Sequence, residues 1–389
     1  MTLLFITTLG GWGGSEPLWA GAARLALKAG HQMTICHGQE GALHPDLVSL
    51  ESSGTRLLLR PRFNQPHSIP ARVINRLLRR NRIKPELVWR SLLAGDWDMV
   101  LVSQGGTYCA LNFPGLAGWL TAQPAPFVLL CQSNRLYSRV SAGRRAEARS
   151  LFNAASRVCF VAQENLKDAS EYLAMELPKA MVVQNPVNLA DLSQVEWPKA
   201  NPAPSMACVA RLETVDKGQD LLLRVLAEAP WSGRNFSITL YGKGPDESYL
   251  RELTKYHRLE QKALLAGHIR DVREVWLKHE LLVLPSLSEG TPLSLIEAQL
   301  CGRPSLVTRV GGNADWVEDG VTGFIAEAPT IHHLRLALEQ AWQARDRWQA
   351  MGRAARASCL AKRNPDPCGS LLKLLVEVGQ NAGKRKPEI

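Results

Sequence analysis

Short runs that are apolar along most of their length, separated by stretches with helical spacing, constrain this chain more than any other feature. The pattern predicts strands at Leu3–Thr8, Met33–His37, Arg56–Leu59, Met99–Ser103, Pro126–Gln132, Val158–Val161 and Met181–Gln184, and a helix near Glu16–Ala29. A strand without polar alternation has no solvent face, so it belongs in a parallel sheet covered by helices on both sides. The stretch Trp197-Pro-Lys-Ala-Asn-Pro-Ala-Pro204 interrupts the pattern and reads as a linker. Behind it the alternation restarts, with strands expected at Met206–Ala210, Phe236–Tyr241, Ala263–Ala266, Leu281–Pro285, Ser305–Thr308 and Gly323–Ala326. From Ala326 to about Val378 the spacing is helical, and the basic tail Lys384-Arg-Lys386 is expected to fray.

A chain of 389 residues exceeds what one hydrophobic core usually serves. The expected fold class is therefore α/β, with two Rossmann-like doubly wound halves facing across a cleft lined by the carboxyl edges of their sheets. The boundaries expected are residues 1–190 for the first domain and 205–365 for the second. Residues 366–389 would form a terminal helix and tail packing back on the first domain.

Hydrophobic content of 46% and charged content of 21% fit a soluble globular protein. No apolar run approaches the ~18–20 residues that span a bilayer. The opening MTLLFITTLGGWGG lacks a basic leading region and reads as a first buried strand, not a signal peptide. Eight scattered cysteines show no CxxC pair, which points to free thiols, a reducing cytoplasm and no metal site. Between Arg56 and Arg90 there are ten basic residues and one acid, Glu86, so this segment carries nearly all of the net charge of +10. Such a patch attracts phosphates, above all on an anionic membrane surface or a phosphorylated glycolipid; a solvated helical face is the plainer alternative. Its candidate contacts are Arg72, Arg76, Arg79, Arg80 and Arg82. Only Phe63 and Trp89 interleave the segment, too few for stacking on single strands, and no nucleic-acid partner is expected.

The chemistry concentrates in Pro285-Ser-Leu-Ser-Glu-Gly-Thr-Pro-Leu-Ser-Leu-Ile-Glu-Ala298. A buried strand ends, a polar loop follows, and Pro292 stands where a helix would begin, since a first-turn amide needs no intrahelical acceptor. The amides around Gly290, Thr291, Leu293 and Ser294 then offer a site for phosphate. Glu289 and Glu297 lie of order 10 Å apart at ~1.5 Å per helical residue. That spacing suits one carboxylate on a sugar hydroxyl and another on a ribose; a capping glutamate and a surface glutamate are the plainer reading.

The context narrows the choice. Glu289-x7-Glu297 within SEGTPLSLIEAQLCGRP resembles the signature of glycosyltransferase family 4, which has the GT-B fold. Val310-Gly-Gly-Asn-Ala-Asp-Trp-Val-Glu-Asp-Gly-Val-Thr-Gly-Phe324 is similar to the segment that follows it, with Asp315 where the family more often has Glu. Ala210-Arg-Leu-Glu-Thr-Val-Asp-Lys-Gly218 resembles the family's Arg…Lys-Gly element, and Gly10-Gly-Trp-Gly-Gly-Ser-Glu-Pro-Leu-Trp19 its opening loop. The resemblance is close from about residue 205 to 330 and thin in the first half beyond residue 36.

It implies a retaining, metal-independent hexosyl transfer from a nucleotide-diphosphate sugar, UDP- or GDP-linked, with no other cofactor. Arg211 and Lys217 would hold the diphosphate, and two fixed cations at a helix start also suit a breaking C–O bond on chemical grounds. With Glu289 they are the catalytic candidates. Gly290, Thr291, Pro292 and Leu293 would contact the donor, Glu297 its ribose, and Gly267, His268 and Ile269 its base. Gly13 and Gly14 would let the backbone approach phosphate. GGWGG is not a GxGxxG fingerprint, which disfavours a nicotinamide cofactor. The loop after Phe127–Cys131 reads Gln132-Ser-Asn-Arg135, without the histidine that family members often carry there; Gln132 or Asn134 is expected to contact the donor sugar instead.

The resemblance further implies a glycan or glycolipid acceptor, a role in cell-envelope polysaccharide or lipopolysaccharide synthesis, and a cytoplasmic location, peripheral on the inner membrane face. The alternatives are a nucleotide-sugar epimerase or phosphorylase of the same fold, or a non-catalytic glycosyltransferase-like regulator.

Overall fold

The computed structural model describes residues 1–38, 42–60, 85–134, 141–199 and 203–383. The chain divides into two compact units, Met1–Pro186 together with Pro365–Ile389, and Val187–Asn364.

The first unit holds a seven-stranded parallel sheet: β1 (Thr2–Thr7), β2 (Gln32–His37), β3 (Arg56–Leu59), β4 (Met99–Gln104), β5 (Phe127–Cys131), β6 (Arg157–Phe160) and β7 (Ala180–Val182). Their order across the sheet is β3-β2-β1-β4-β5-β6-β7. The described helices are α1 (Glu16–Lys28), α2 (Pro45–Ser52), α3 (Pro85–Leu92), α4 (Leu116–Ala122), α5 (Ala142–Ala154) and α6 (Gln163–Leu173). Successive side chains of one strand enter opposite cores. Leu4 and Ile6 join a cluster with Val100, Val102 and Leu129, whereas Leu3 and Phe5 join one with Met33, Ile35 and Leu101. This is why the strands carry no polar alternation: both faces of the sheet are covered.

The second unit repeats the scheme with six strands: β8 (Ser205–Val209), β9 (Ser237–Tyr241), β10 (Ala263–Gly267), β11 (Leu281–Leu284), β12 (Ser305–Thr308) and β13 (Gly323–Ala326). The order is β10-β9-β8-β11-β12-β13, again all parallel. The helices are α7 (Thr214–Lys217), α8 (Gln219–Ala227), α9 (Glu247–Tyr256), α10 (Arg273–Trp276), α11 (Leu293–Leu300), α12 (Asn313–Trp316), α13 (Ile331–Gln343) and α14 (Trp348–Lys362). The last helix, α15 (Pro367–Gly383), returns to the first unit, where Leu371, Leu375 and Val378 complete the core formed by α1 and the sheet. Each sheet reverses its winding once, between β1 and β4 and between β8 and β11, and ligands of doubly wound sheets bind at the strand carboxyl ends beside such a reversal.

Two expectations shift. Pro126 and Pro285 fall outside β5 and β11, because proline has no N–H to give a sheet. The Pro- and Ala-rich stretch is also not where the units divide. The chain passes into the second unit at Pro186/Val187, ahead of that stretch. Residues 191–196 are already fastened there by three arginines. Arg273 donates to the carbonyls of Asp191 and Ser193, both at 2.8 Å, and Arg356 to that of Leu192 at 2.6 Å. Arg303, fully buried, donates to Val195 at 3.3 Å and to Glu196, and its guanidinium lies 4.9 Å from the Trp197 ring centroid. The residues just ahead of the linker-like stretch thus serve as a strap.

Candidate active site

Beyond β8 the chain makes the short helix α7 and turns at Gly218, whose φ of +61° is strained for any other residue. A Cβ there would also lie 2.2 Å from the Pro285 carbonyl oxygen. This close approach brings the loop after β11 onto α7, where the Asp216 carbonyl accepts the amides of Leu287 at 2.8 Å and Ser288 at 3.2 Å. Lys217 consequently meets Glu289, 72 positions away in sequence, with Nζ 2.6 Å from Oε1. Ser286 Oγ donates to the same oxygen at 2.7 Å, and the Ser286 carbonyl is held by Thr308 Oγ at 2.6 Å. The pair is largely withdrawn from water, with Lys217 18% and Glu289 6% exposed. Attraction in such a setting is strong, and loss of one partner would leave an uncompensated charge.

Arg211 lies on the same sheet edge but is 59% exposed. Its guanidinium pairs with Glu213 and lies 3.6 Å from Asp216, while Gln219 fixes its backbone carbonyl at 2.8 Å. Both expected diphosphate cations are therefore ion-paired within the second unit.

Helix α11 begins one residue later than proline rules suggest. Pro292 is its N-cap, extended at ψ 122°, and its carbonyl accepts the Leu295 amide at 3.1 Å. Gly290 is buried and its carbonyl accepts the Gly312 amide at 2.6 Å. A Cβ on Gly311, where φ is +52°, would meet the Glu289 carbonyl oxygen at 2.3 Å. The two longest sequence motifs therefore touch along their backbones. Thr291 and Leu293 are half-buried at the mouth of this loop. Glu297, on the first turns of α11, is buried rather than superficial. Burial pushes its carboxyl up to about 7, a rise only partly offset by the backbone amide of Asn188.

Gly267 ends β10 at φ +75° with open space where a Cβ would stand, and His268 after it is exposed. Ile269 packs against the core beneath this edge.

In the first unit the glycine loop between β1 and α1 is closed by its own helix. The Gly13 amide donates to Glu16 Oε2 at 2.7 Å, and Ser15 Oγ reaches both carboxylate oxygens. Glu16 is buried, which raises its carboxyl above the ordinary value. An acid, not an open phosphate cradle, thus faces the Gly13 amide, while Gly14 beside it is exposed. Gln132 ties this loop to the end of the unit: its Nε2 donates to the Ser15 carbonyl at 3.3 Å, and its Oε1 accepts from Asn185 at 2.8 Å. The Asn134 side chain bonds to Asp168 instead.

Glu16, Ser286, Asn188 and the acids around Arg211 escaped the sequence reading. An acid at the first helical position after a glycine loop could have exposed the first; the others carry no local signal.

Arg72, Arg76, Arg79, Arg80 and Arg82 lie outside the described residues. Among the described residues no group of three or more His, Cys, Asp or Glu side chains is placed to hold a metal. No described helix is long and apolar enough to cross a membrane. All eight cysteines are free thiols.

Two parallel Rossmann-like sheets of seven and six strands define the GT-B fold, and solved structures share it along the whole chain. HepE of Anabaena in complex with UDP matches with a TM-score of 0.66 at 16% identity, covering 100% of both chains. The lipopolysaccharide outer core galactosyltransferase WaaB matches at 0.67 and 16%, covering 99% of this chain and 100% of WaaB. Sucrose-phosphate synthase of Thermosynechococcus elongatus reaches 0.70 at 15%, covering 98% of this chain and 99% of that one. Residues 191–358 match the family model described as Glycosyl transferases group 1. Similar curated proteins include a glycogen synthase of Pseudomonas syringae pv. syringae, 31% identical over 144 residues. Another is D-inositol 3-phosphate glycosyltransferase 2 of Catenulispora acidiphila, 37% identical over 127 residues. These alignments take in 37% and 30% of this chain, and only 30% and 29% of the respective relatives.

Proposed function

We propose that the chain is a retaining glycosyltransferase of the family 4 type, moving a hexose from a nucleotide-diphosphate sugar to a glycan or glycolipid acceptor. The observation that supports this most is the buried Lys217–Glu289 pair beside the start of α11, with Glu297 one turn further in. It lies inside the segment that matches the glycosyltransferase model. HepE, similar in fold, has been captured with UDP and with UDP-glucose.

In this reading Lys217 and Arg211 exchange part of their carboxylate contacts for the donor's diphosphate and, with the α11 amides, neutralise charge as the C1–O bond breaks. That supply of fixed positive charge is the basis for proposing a metal-independent reaction. Glu289 and the Gly290–Leu293 loop take the donor sugar, Glu297 the ribose hydroxyls, and the Gly267–Ile269 backbone the base. The acceptor hydroxyl attacks C1 on the face the phosphate leaves, its proton passing to the departing phosphate oxygen, so configuration is retained. The first unit would bind the acceptor, with the Gly13–Gly14 loop at its edge.

A thermal-shift panel of UDP, GDP, ADP and CMP on wild type, Arg211→Ala and Glu297→Ala tests the donor site. Ligand at ~100-fold its dissociation constant adds ~2.7 kcal/mol to the native state. One diphosphate should stabilise wild type and neither variant. If none does, the epimerase, phosphorylase and transferase readings fall together and a regulatory role takes their place.

The basic segment between Arg56 and Arg90 supports a cytoplasmic enzyme docked on the inner membrane face, acting in envelope polysaccharide or lipopolysaccharide synthesis. Vesicle co-sedimentation should show salt-sensitive pelleting with anionic lipid. Equal pelleting with neutral lipid, or none, refutes the docking.

A further inference from the structure

The first unit contains a second polar constellation, on the carboxyl side of β4 and β5 and separate from the glycine loop. Tyr108 follows β4, Arg145 lies in the first turn of α5, and Tyr172 closes α6. All three converge: the Tyr108 and Tyr172 ring centroids are 5.5 Å apart, and the Arg145 guanidinium carbon sits 5.2 Å from the Tyr172 centroid. Phe152 backs Tyr108 at 6.0 Å.

Two donors in this cluster are unsatisfied. The Tyr108 hydroxyl and the Arg145 Nε are buried and find no hydrogen-bond partner among the described residues. Arg145 also enters no ion pair among them. Buried donors without acceptors are rare in native folds, because each forfeits its hydration for nothing. Two of them beside one aromatic ring, one of them cationic, suit an acceptor-rich anion that enters as the side chains part, since both atoms are closed to solvent as they stand. Asp168, the acid whose charge is felt at Tyr108, is bonded to Asn134.

We propose that Tyr108 and Arg145, converging on the Tyr172 ring, form an oxyanion subsite that takes a phosphate group of the acceptor. A guanidinium held over a ring keeps its in-plane N–H edge for a phosphate oxygen, and the phenol supplies a neutral second donor. The subsite would favour phosphorylated over neutral acceptors. It rests on the transferase reading for the word acceptor, while the phosphate site itself stands on the first unit alone.

The experiment is calorimetric titration of the full chain, with UDP at saturation to fill any phosphate site beside α11, comparing wild type, Tyr108→Phe and Arg145→Gln. Glucose 1-phosphate forms one arm and phosphatidic acid vesicles the other, separating a soluble sugar phosphate from a lipid phosphate. In at least one arm each variant should bind about tenfold to a hundredfold more weakly, as befits loss of a hydrogen bond to a charged group. UDP binding should persist in both variants, so failure of the donor site and of this subsite are read separately. Without phosphate, Tyr108→Phe should melt no lower than wild type, because the hydroxyl it removes has no partner. No wild-type binding in either arm, unchanged binding in both variants, or a lowered melting temperature for phosphate-free Tyr108→Phe overturns the proposal.

Discussion

Glu297 shows how much one carboxyl group can report. Its carboxyl is raised from 4.5 to about 7 by burial, with a single backbone amide opposing. Between those values the folded chain holds a proton that the unfolded chain has lost, so this group favours the native state at low pH. That contribution fades as pH rises through about 7, on the order of 3 kcal/mol at ~1.36 kcal/mol per unit. Glu297→Gln removes the ionisation and keeps the shape. The variant should gain thermal stability relative to wild type on going from about pH 5 to about pH 8. If Glu297 holds the ribose as proposed, wild-type UDP affinity should rise over the same range, since the ionised carboxylate is the stronger acceptor for two hydroxyls. A constant stability gap across that range would show that Glu297 is ionised throughout. The sequence made Glu289 and Glu297 visible as a pair, but not their environments. Lys217 reaches Glu289 only because Gly218 lets two distant loops touch.

Among the elements, the strap over residues 191–196 depends most on side chains. Arg303 satisfies the carbonyls of Val195, Glu196, Trp276 and His279 and is itself fully buried. Arg303→Met fills the space but offers no donor, and several buried carbonyls lose their partner together. The expected loss is about 1–3 kcal/mol for a buried carbonyl left without its donor, read as a lower denaturation midpoint with an unchanged slope. An unaltered midpoint would mean that water replaces the guanidinium. Strands were legible from sequence because apolar runs need no partner to be recognised. The strap was not, because Arg273, Arg303 and Arg356 reach it from far along the chain, while the Pro- and Ala-rich stretch just after it advertises a linker.

At the level of the whole molecule, the first unit is built from two separated pieces of chain and the second from one. Helix α15 gives Leu371, Leu375 and Val378 to the core of the first unit. At ~1.5–3 kcal/mol for each buried apolar side chain, truncation at Asn364 should cost that unit at least ~4.5 kcal/mol. Calorimetry of the truncated chain should show one transition moved to lower temperature and the other, from residues 187–364, in place. Equal displacement of both would mean that the units melt as one. Two Rossmann-like halves were readable from the repeating strand pattern. The points where the chain crosses, Pro186/Val187 and Asn364/Pro365, have no composition of their own and follow from which core each flanking segment enters.

The discontinuity has a consequence for biogenesis. Residues 187–364 build their cores from their own stretch of chain. The first 186 residues, made earlier, wait with the α1 face uncovered until α15 emerges. The half synthesised first would therefore be the last to complete its core, its α1 face staying uncovered until α15 has been made.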